Sequence, residues 1–588
     1  MFISALEITN FKSIGSDTQR FEFGPINLLF GGNGAGKSSA FYALGYLNEV
    51  FNNFNLDVNQ LSTAAEINLG GFKSFVFNRD LNRVMKFKVE FSCDFYSELG
   101  GIVNDKLFEE FISQGIYPGP INNTGVFGLL SLEISIAYSE ITKSIYIQKL
   151  SLVVNKEHLW TITELDNRDK KCSSIDFNFK HRLFTPHISK YTYGDYYLPE
   201  ESKGLNAEGI RDALLSHNFS FNDFELNIFD SIFFGDYSYF DSITECHEWY
   251  RSIEFDDSIS IYGSFFDLYT QYIVASIKKC IGEICLVGPI RAIPNRYFEA
   301  KLPIQKQRWY TGHAAWDWFV GSSKDPELVN FWLDEKLKTG FSVFVEVDDF
   351  NTRVGLKNEN GLRMGASDLS VGISQVIPVI TSVLHSKGVI CIEQPELHIH
   401  PKLQVELADL FIESAIKPGI SNYTRIAFDP IDNCYCMLPV NEKNTSKFKN
   451  KDGIVNKDGG VKLENFVPVM SETQHVMDYV GHSEYLLGHF DFNDEDLSRL
   501  KAFDKCKKQI FLETHSEHIA LRLLKRVRET DLHRPHNGIH LLPTQIKFVH
   551  MQKLHGQTVA TIVPLSHDGD FKVKWPGGFF DERDEELF

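Results

Sequence analysis

The chain has 588 residues, is 43% hydrophobic and 23% charged, and carries a formal net charge of −19. That length exceeds what one hydrophobic core serves, so two or more structural units are expected, and the composition excludes a disordered or low-complexity chain. The acidic balance argues against nucleic-acid binding over the whole surface but leaves room for a local basic groove. The 9 cysteines include no C-x-x-C pair, which points to reduced thiols. With no apolar run near the roughly 20 residues of a membrane span and no charged-then-apolar leader, a cytoplasmic protein without membrane contact is expected.

Taken in order, Phe2–Ile8 and Phe21–Phe30 read as strands joined by a polar connection that includes Asn10-Phe11-Lys12-Ser13. The apolar run Ile26–Phe30 enters Gly31-Gly32-Asn33-Gly34-Ala35-Gly36-Lys37-Ser38-Ser39, and Ala40–Phe51 follows with helical apolar spacing. This strand–loop–helix context is what the pattern G-x-x-x-x-G-K-[ST] requires. Its glycines let backbone N–H groups turn towards phosphate oxygens, and the helix N-terminus adds partial positive charge. Lys37 is then the β- and γ-phosphate ligand and Ser38 a magnesium ligand. Val84–Phe91 alternates polar and apolar residues, the mark of a half-buried strand. From about 98 to 280 no nucleotide motif occurs, only strand-like runs (Leu130–Tyr138, Lys143–Val154) and helical stretches such as Phe265–Ile281. Ile284–Tyr297 returns to a strand pattern, and Phe331–Arg363 reads as a helix followed by strands. Ser370–Ser386 and Pro401–Ala415 read as helices flanking a short strand, Gly388–Glu393. The polar, lysine-rich stretch 441–461 is expected to be a mobile loop. Gln509–Leu512 is a strand that runs into Glu513-Thr514-His515-Ser516 and a basic helix, and Ile546–Met551 and Val559–Leu565 form a last strand pair.

Three later stretches belong with the phosphate loop. A buried strand ending in Glu393 is the Walker B arrangement, which turns a carboxylate towards the metal side of the loop. Leu-Ser-Val-Gly-Ile-Ser-Gln at 369–375 opens a helix with small residues suited to touching phosphate through backbone amides. His515, after a strand, is placed to meet a γ-phosphate. Other features are weaker. His398 and His400 lack a third ligand nearby. Asp568-Gly569-Asp570 is similar to the D-x-D of a Toprim nuclease, but the upstream Glu of that pattern is missing, so it reads as a turn. Arg522, Lys525, Arg526 and Arg528 make a basic helical face, the best candidate for contact with nucleic acid or an acidic partner.

Phosphate loop, signature loop, Walker B strand and switch histidine, in this order, resemble the ABC-type ATPase heads shared with SMC proteins. More narrowly the chain resembles the overcoming-lysogenization-defect (OLD)-like AAA ATPases of bacterial anti-phage defence. The matching residues are Asn10–Ser13, Gly288-Pro289-Ile290-Arg291, Val371–Gln375, Glu393–His398, Glu513–His518 and Trp575–Phe580. The resemblance implies an α/β fold: a split P-loop ATPase head with an inserted α+β domain. The expected division is 1–97 and 284–420 as head lobes, 98–283 as the insert, 421–506 as a second insertion, and 507–588 as the end of the head. It implies a head dimer closing on ATP and Mg²⁺, with Gly31–Ser39 (Gly31, Gly32, Asn33, Gly34, Ala35, Gly36, Lys37, Ser38, Ser39) of one protomer facing Ser370 and Gly372 of the other. Ser38 and Glu393 would serve the metal, and His515 would sense the γ-phosphate. In most such ATPases a Glu follows the Walker B acid and orients water, whereas here it is Gln394, which cannot accept a proton. Hydrolysis is then slow, or Glu396 supplies the carboxylate. The implied role is a sensor or scaffold subunit that controls a separate nuclease or toxin. The rivals are a DNA-repair or chromosome-maintenance ATPase and an ATP-binding module without turnover.

Overall fold

The computed structural model describes residues 1–61, 67–93, 128–166, 174–178, 276–294, 300–321, 326–347, 352–365, 371–417, 506–532 and 536–575, with the shorter pieces 65, 181, 273–274, 368, 423–429, 434–439 and 534. Two large sheets organise them. The first is antiparallel and has seven strands. At one edge lie β1 (Phe2–Thr9) and β2 (Gln19–Glu22), and β6 (Met85–Ser92) pairs with the free side of β1. Then come β7 (Leu129–Ser139), β8 (Ser144–Val154), β9 (Glu157–Asp166) and β10 (Ser174–Phe177), so one sheet runs through the expected boundary near residue 98. The alternation read in Val84–Phe91 is realised: Met85, Phe87, Val89 and Phe91 are buried, while Lys86 is exposed.

The second sheet contains the phosphate-loop strand. Its order is β11 (Cys285–Val287), β15 (Val389–Glu393), β18 (Gln509–Glu513), β3 (Ile26–Gly31), β19 (Ile546–Leu554) and β20 (Gln557–Val563). All pairs are parallel except β19 with β20. Strands hundreds of residues apart thus build one sheet, the split α/β head read from the sequence. Smaller units are the hairpins β4 (Gln60–Leu61) with β5 (Ile67–Asn68) and β16 (Tyr423–Asp429) with β17 (Cys434–Pro439). A three-stranded sheet joins β12 (Phe341–Val347), β13 (Thr352–Asn358) and β14 (Arg363–Gly365).

β3 is buried along its whole length, as a parallel strand covered on both faces should be. Leu29 joins the core between the two sheets, where helix α1 (Lys37–Asn53) lies, and Leu28 and Phe30 join the core on the opposite face. That second core is covered by α2 (His313–Gly321), α3 (Val371–His385), α4 (Pro401–Ala415) and α5 (Glu517–Asp531). The buried side chain of Gln509 stitches the sheets together: it accepts from the Ile3 amide and donates to the Ile3 carbonyl, both at 2.7 Å.

Three expectations need correction. Phe21–Phe30 is not one strand: the chain turns at Phe23-Gly24-Pro25, so Phe21 lies in the first sheet and Phe30 in the second. Pro25 has no N–H for a ladder, and Asn27 Oδ1 holds the turn by accepting from the Gly24 amide at 2.7 Å. Within Ile284–Tyr297 only Cys285–Val287 is strand, because Gly288 bends against Tyr310, donating to its carbonyl at 2.9 Å; residues 295–297 lie outside the described residues. The helix of Phe331–Arg363 starts earlier, at Glu327, and continues as a π-helix over Phe331–Lys336. The 441–461 loop, most of 98–283 and of 421–506, Ser370 and Pro576–Phe580 fall outside the described residues.

Candidate functional site: a phosphate loop with converging carboxylates

The phosphate loop links β3 to α1, and its shape needs glycine at both ends. Gly31 has φ 145° and Gly36 has φ 93°. A Cβ at Gly31 would run into the Met551 carbonyl, and one at Gly36 into the hydroxyls of Ser13 and Thr558. Thr558 braces the loop by donating to the Ala35 carbonyl at 2.8 Å. Ser39 is buried, its hydroxyl 3.2 Å from that of Ser13. By contrast, nothing lies within 4 Å of a Cβ placed at Gly32 or Gly34, and Asn33 is exposed. The loop is therefore walled on one side and open on the other.

Lys37 is buried, 4% exposed, yet its ammonium is well supplied with acceptors. It donates to the Gly31 carbonyl at 2.9 Å and the Gly32 carbonyl at 3.2 Å, and lies 3.1 Å from His515 Nε2 and 3.8 Å from Glu513 Oε1. Burial lowers its pKa, against the pull of Glu513 and Glu396. The His515 pKa is lowered by burial and by the Lys37 charge, which favours a neutral imidazole whose Nε2 accepts from Lys37. Ser38 Oγ donates to Glu513 Oε2 at 2.6 Å.

Glu393 and Glu513 sit opposite each other at the ends of β15 and β18. Burial, and next the neighbouring Glu513, push the Glu393 carboxyl up to about 8, while a hydrogen bond from Tyr42 pulls it down. Burial also raises Glu513, against Ser38 and Lys37. Two acids at one strand-end mouth repel when both are ionised, which adds to burial in favouring the protonated form of Glu393 unless a cation lies near. Sequence reasoning read Glu393 as the acid beside the loop; the residue that touches Ser38 is Glu513. The sequence carries the signal, since Glu513 also ends a buried apolar strand directly before Thr514-His515.

Glu396 has another task. One carboxylate oxygen accepts from Thr514 Oγ1 at 2.8 Å and the other from the His515 amide at 2.7 Å, so it holds the Thr514-His515 turn. Gln394 has a left-handed φ of 46°, and its amide donates to the Glu513 carbonyl at 2.7 Å. Its side chain is partly exposed. Gly372 packs within its own chain: a Cβ there would lie 2.5 Å from the His398 carbonyl. Ser370, its expected companion, is outside the described residues.

The weaker features resolve plainly. Among the described residues no group of three His, Cys, Asp or Glu side chains could hold a metal, and His400 instead caps α4 by accepting from the Lys402 amide at 3.2 Å. Asp568–Asp570 forms the expected turn, closed by the Ser566 amide on the Asp570 carbonyl at 2.8 Å. The basic face of α5 is largely spent within the fold. Arg522 and Arg526 both reach Asp409 of α4, at 2.5 and 2.7 Å, Arg528 reaches Asp570 at 2.6 Å, and Lys525 lies 3.7 Å from Glu529. Lys525 and Arg528 keep more than half of their side chains exposed, so the basic face is turned inward at Arg522 and Arg526 and open at the other two.

A parallel sheet with a glycine-walled loop after one strand, and acids and a histidine at the ends of its neighbours, defines a P-loop nucleotide-binding ATPase fold. Residues 26–426 match the family described as "AAA domain, putative AbiEii toxin, Type IV TA system", and the chain belongs to that family. No curated protein matches it. Among solved structures it is similar to the Smc head bound to the C-winged helix domain of ScpA (9% identity, TM-score 0.33, covering 96% of this chain and 98% of that one). It is also similar to the SMC head domain from Thermotoga maritima (7% identity, TM-score 0.32, 96% and 100%). A third is the Smc head domain with a coiled coil and joint derived from Pyrococcus yayanosii (9% identity, TM-score 0.32, 100% of both chains). Among the described residues no helix is long and apolar enough to cross a membrane.

Proposed function

We propose that the protein binds ATP with Mg²⁺, hydrolyses it slowly, and acts as a nucleotide-gated sensor or scaffold subunit of a bacterial anti-phage defence complex that controls a separate nuclease or toxin. The observation that carries the nucleotide part is the convergence of Lys37, Ser38, Glu513 and His515 within hydrogen-bonding or ion-pair distance at the mouth of the loop. The residues fit the group. Gly32 and Gly34 leave open space for phosphate, Lys37 provides the cation, and Ser38 with Glu393 and Glu513 provides the hard oxygen donors that suit Mg²⁺. The metal, when bound, neutralises charge that develops on the β- and γ-phosphate oxygens. Lys37 would orient phosphate, Ser38 with Glu393 and Glu513 would hold the metal, and His515, beside Lys37, would be the residue to meet the γ-phosphate.

Slow turnover follows from residue chemistry. Gln394 cannot take a proton, and Glu396 is engaged by Thr514 and the His515 amide in holding the turn, one bond to each of its oxygens. This observation also favours a second reading, an ATP clamp without turnover. The defence role draws on the family's description as a toxin–antitoxin component and on the motif resemblance. A single-turnover assay with the purified chain separates the readings. Loss of a positioned base costs roughly 10²–10⁴-fold, so against a typical ~10 s⁻¹ the expected rate is about 0.1 s⁻¹ or less. A rate near ~10 s⁻¹ would overturn slow turnover, and none at all would leave the clamp.

A further inference from the structure

Arg291 belongs to the motif Gly288-Pro289-Ile290-Arg291, for which the nucleotide site as described has no use. It is 1% exposed, so its guanidinium is almost wholly withdrawn from water. Burying such a group is costly unless acceptors replace the lost hydration, and here they do so at the two terminal nitrogens while Nε has no partner among the described residues. The acceptors here are informative. Nη2 donates to the Glu393 carbonyl at 2.8 Å and to the Gln394 carbonyl at 3.0 Å, and Nη1 donates to the Gln375 carbonyl at 3.4 Å. The backbone of Arg291 is gripped as well. Its amide donates to Gln375 Oε1 at 3.1 Å, and its carbonyl accepts from Gln375 Nε2 at 2.5 Å. One side chain therefore ties the first turn of α3 to the turn that follows the Walker B strand.

That turn needs holding. Gln394 adopts a left-handed φ of 46°, a strained conformation for a residue with a Cβ that persists only where the surroundings impose it. With carbonyls 393 and 394 fixed by Arg291 and the Gln394 amide fixed by the Glu513 carbonyl, the peptide between Glu393 and the side chain of residue 394 has one permitted orientation. A second contact pins the same two elements, since Gly372 at the start of α3 lies against the His398 carbonyl.

We infer that Arg291 is a positioning residue: with Gln375 it locks the start of α3 to the 393–398 turn and thereby sets where the Glu393 carboxylate and the Gln394 side chain meet the nucleotide. It touches no substrate itself. The inference rests on the nucleotide site proposed above, so its test includes a readout that does not need hydrolysis. The variants are Arg291→Lys, which keeps the charge but cannot span three carbonyls, and Gln375→Leu, which leaves Arg291 in place and removes the grip on its backbone.

Hydrogen exchange of the nucleotide-free full chain is read first. Both variants are expected to raise exchange at least tenfold for amides 394–399 while the amides of β3 and β18 keep parental protection. Where the parent hydrolyses ATP, kcat is expected to fall about 10- to 100-fold with KM within threefold, because misplacement acts on the reacting geometry and not on phosphate binding. Parental exchange across 394–399 in either folded variant would overturn the inference. So would exchange that rises uniformly over both sheets, which would make Arg291 a plain stability element. If the parent fails to bind ATP, the function reading falls while the exchange result still decides the role of Arg291.

Discussion

At the scale of single residues, the site is governed by which acceptor each buried donor faces. Lys37 has two loop carbonyls and His515 Nε2 within hydrogen-bonding distance, and nothing else in the loop carries its charge. Lys37→Ala is therefore expected to weaken ATP binding at least a hundredfold with the thermal midpoint little changed, measured by equilibrium nucleotide titration and calorimetry. Glu513 and Glu396 differ in what they touch, and their amide variants should differ too. Glu513→Gln removes the carboxylate from Ser38 and should weaken Mg²⁺-dependent binding about tenfold while sparing Mg²⁺-free binding. Glu396→Gln turns one acceptor oxygen into a donor that faces the Thr514 hydroxyl or the His515 amide, and should loosen the histidine turn. Gln394→Glu supplies the missing base and should raise turnover at least tenfold over the parent. An unchanged rate in that variant would show that residue 394 does not orient water.

At the scale of elements, α4 and α5 are joined through one carboxylate. Burial of Asp409 opposes its ionisation, but hydrogen bonds from Arg526 and Arg522 prevail and hold its pKa below the ordinary 3.8. A depressed folded pKa adds stability that is present above pH 3.8 and lost as pH falls through the folded value. Asp409→Asn should thus cost about 3 kcal/mol at neutral pH and flatten the acid limb of a stability–pH curve followed by denaturant unfolding. An acid limb identical to the parent's would mean that the pair contributes nothing. The start of α3 carries a different constraint. Because a Cβ at Gly372 meets the His398 carbonyl, even Gly372→Ala should disturb the turn after β15 before any partner is involved. A bulky Gly372→Arg substitution therefore tests the fold as much as an interface, and an interface is better probed from Val371, which is 49% exposed.

At the scale of the whole molecule, the proposed gating requires that nucleotide change the association of heads. ATP should promote self-association of the full chain in light scattering, and Val371→Arg should reduce that association while leaving the ATP titration of each monomer within threefold. Equal association of variant and parent would remove the start of α3 from the contact. Withdrawing Mg²⁺ with a chelator should also weaken ATP binding, since Ser38, Glu393 and Glu513 offer only oxygen ligands for the metal.

Local chemistry made much of this legible in the sequence. A continuous apolar run before Gly31 has to be a buried strand, the loop glycines have to turn, and Lys37 and Ser38 have to begin a helix, because each follows from residues adjacent in the chain. The same holds for the alternation of β6, the acid at the end of β15 and the turn at Asp568–Asp570. What lay beyond reach depended on residues far apart in sequence. Whether Phe21–Phe30 is one strand or two was decided by Pro25 at a corner between sheets. Whether the arginines of α5 are free was decided by Asp409, 113 positions from Arg522. Glu513 reaches Ser38 across 475 positions, and Arg291 reaches the Walker B turn across 102. Periodicity and motif spacing report which face of an element is buried; only the parallel sheet, by setting β15, β18 and β3 side by side, decides which acid meets which hydroxyl.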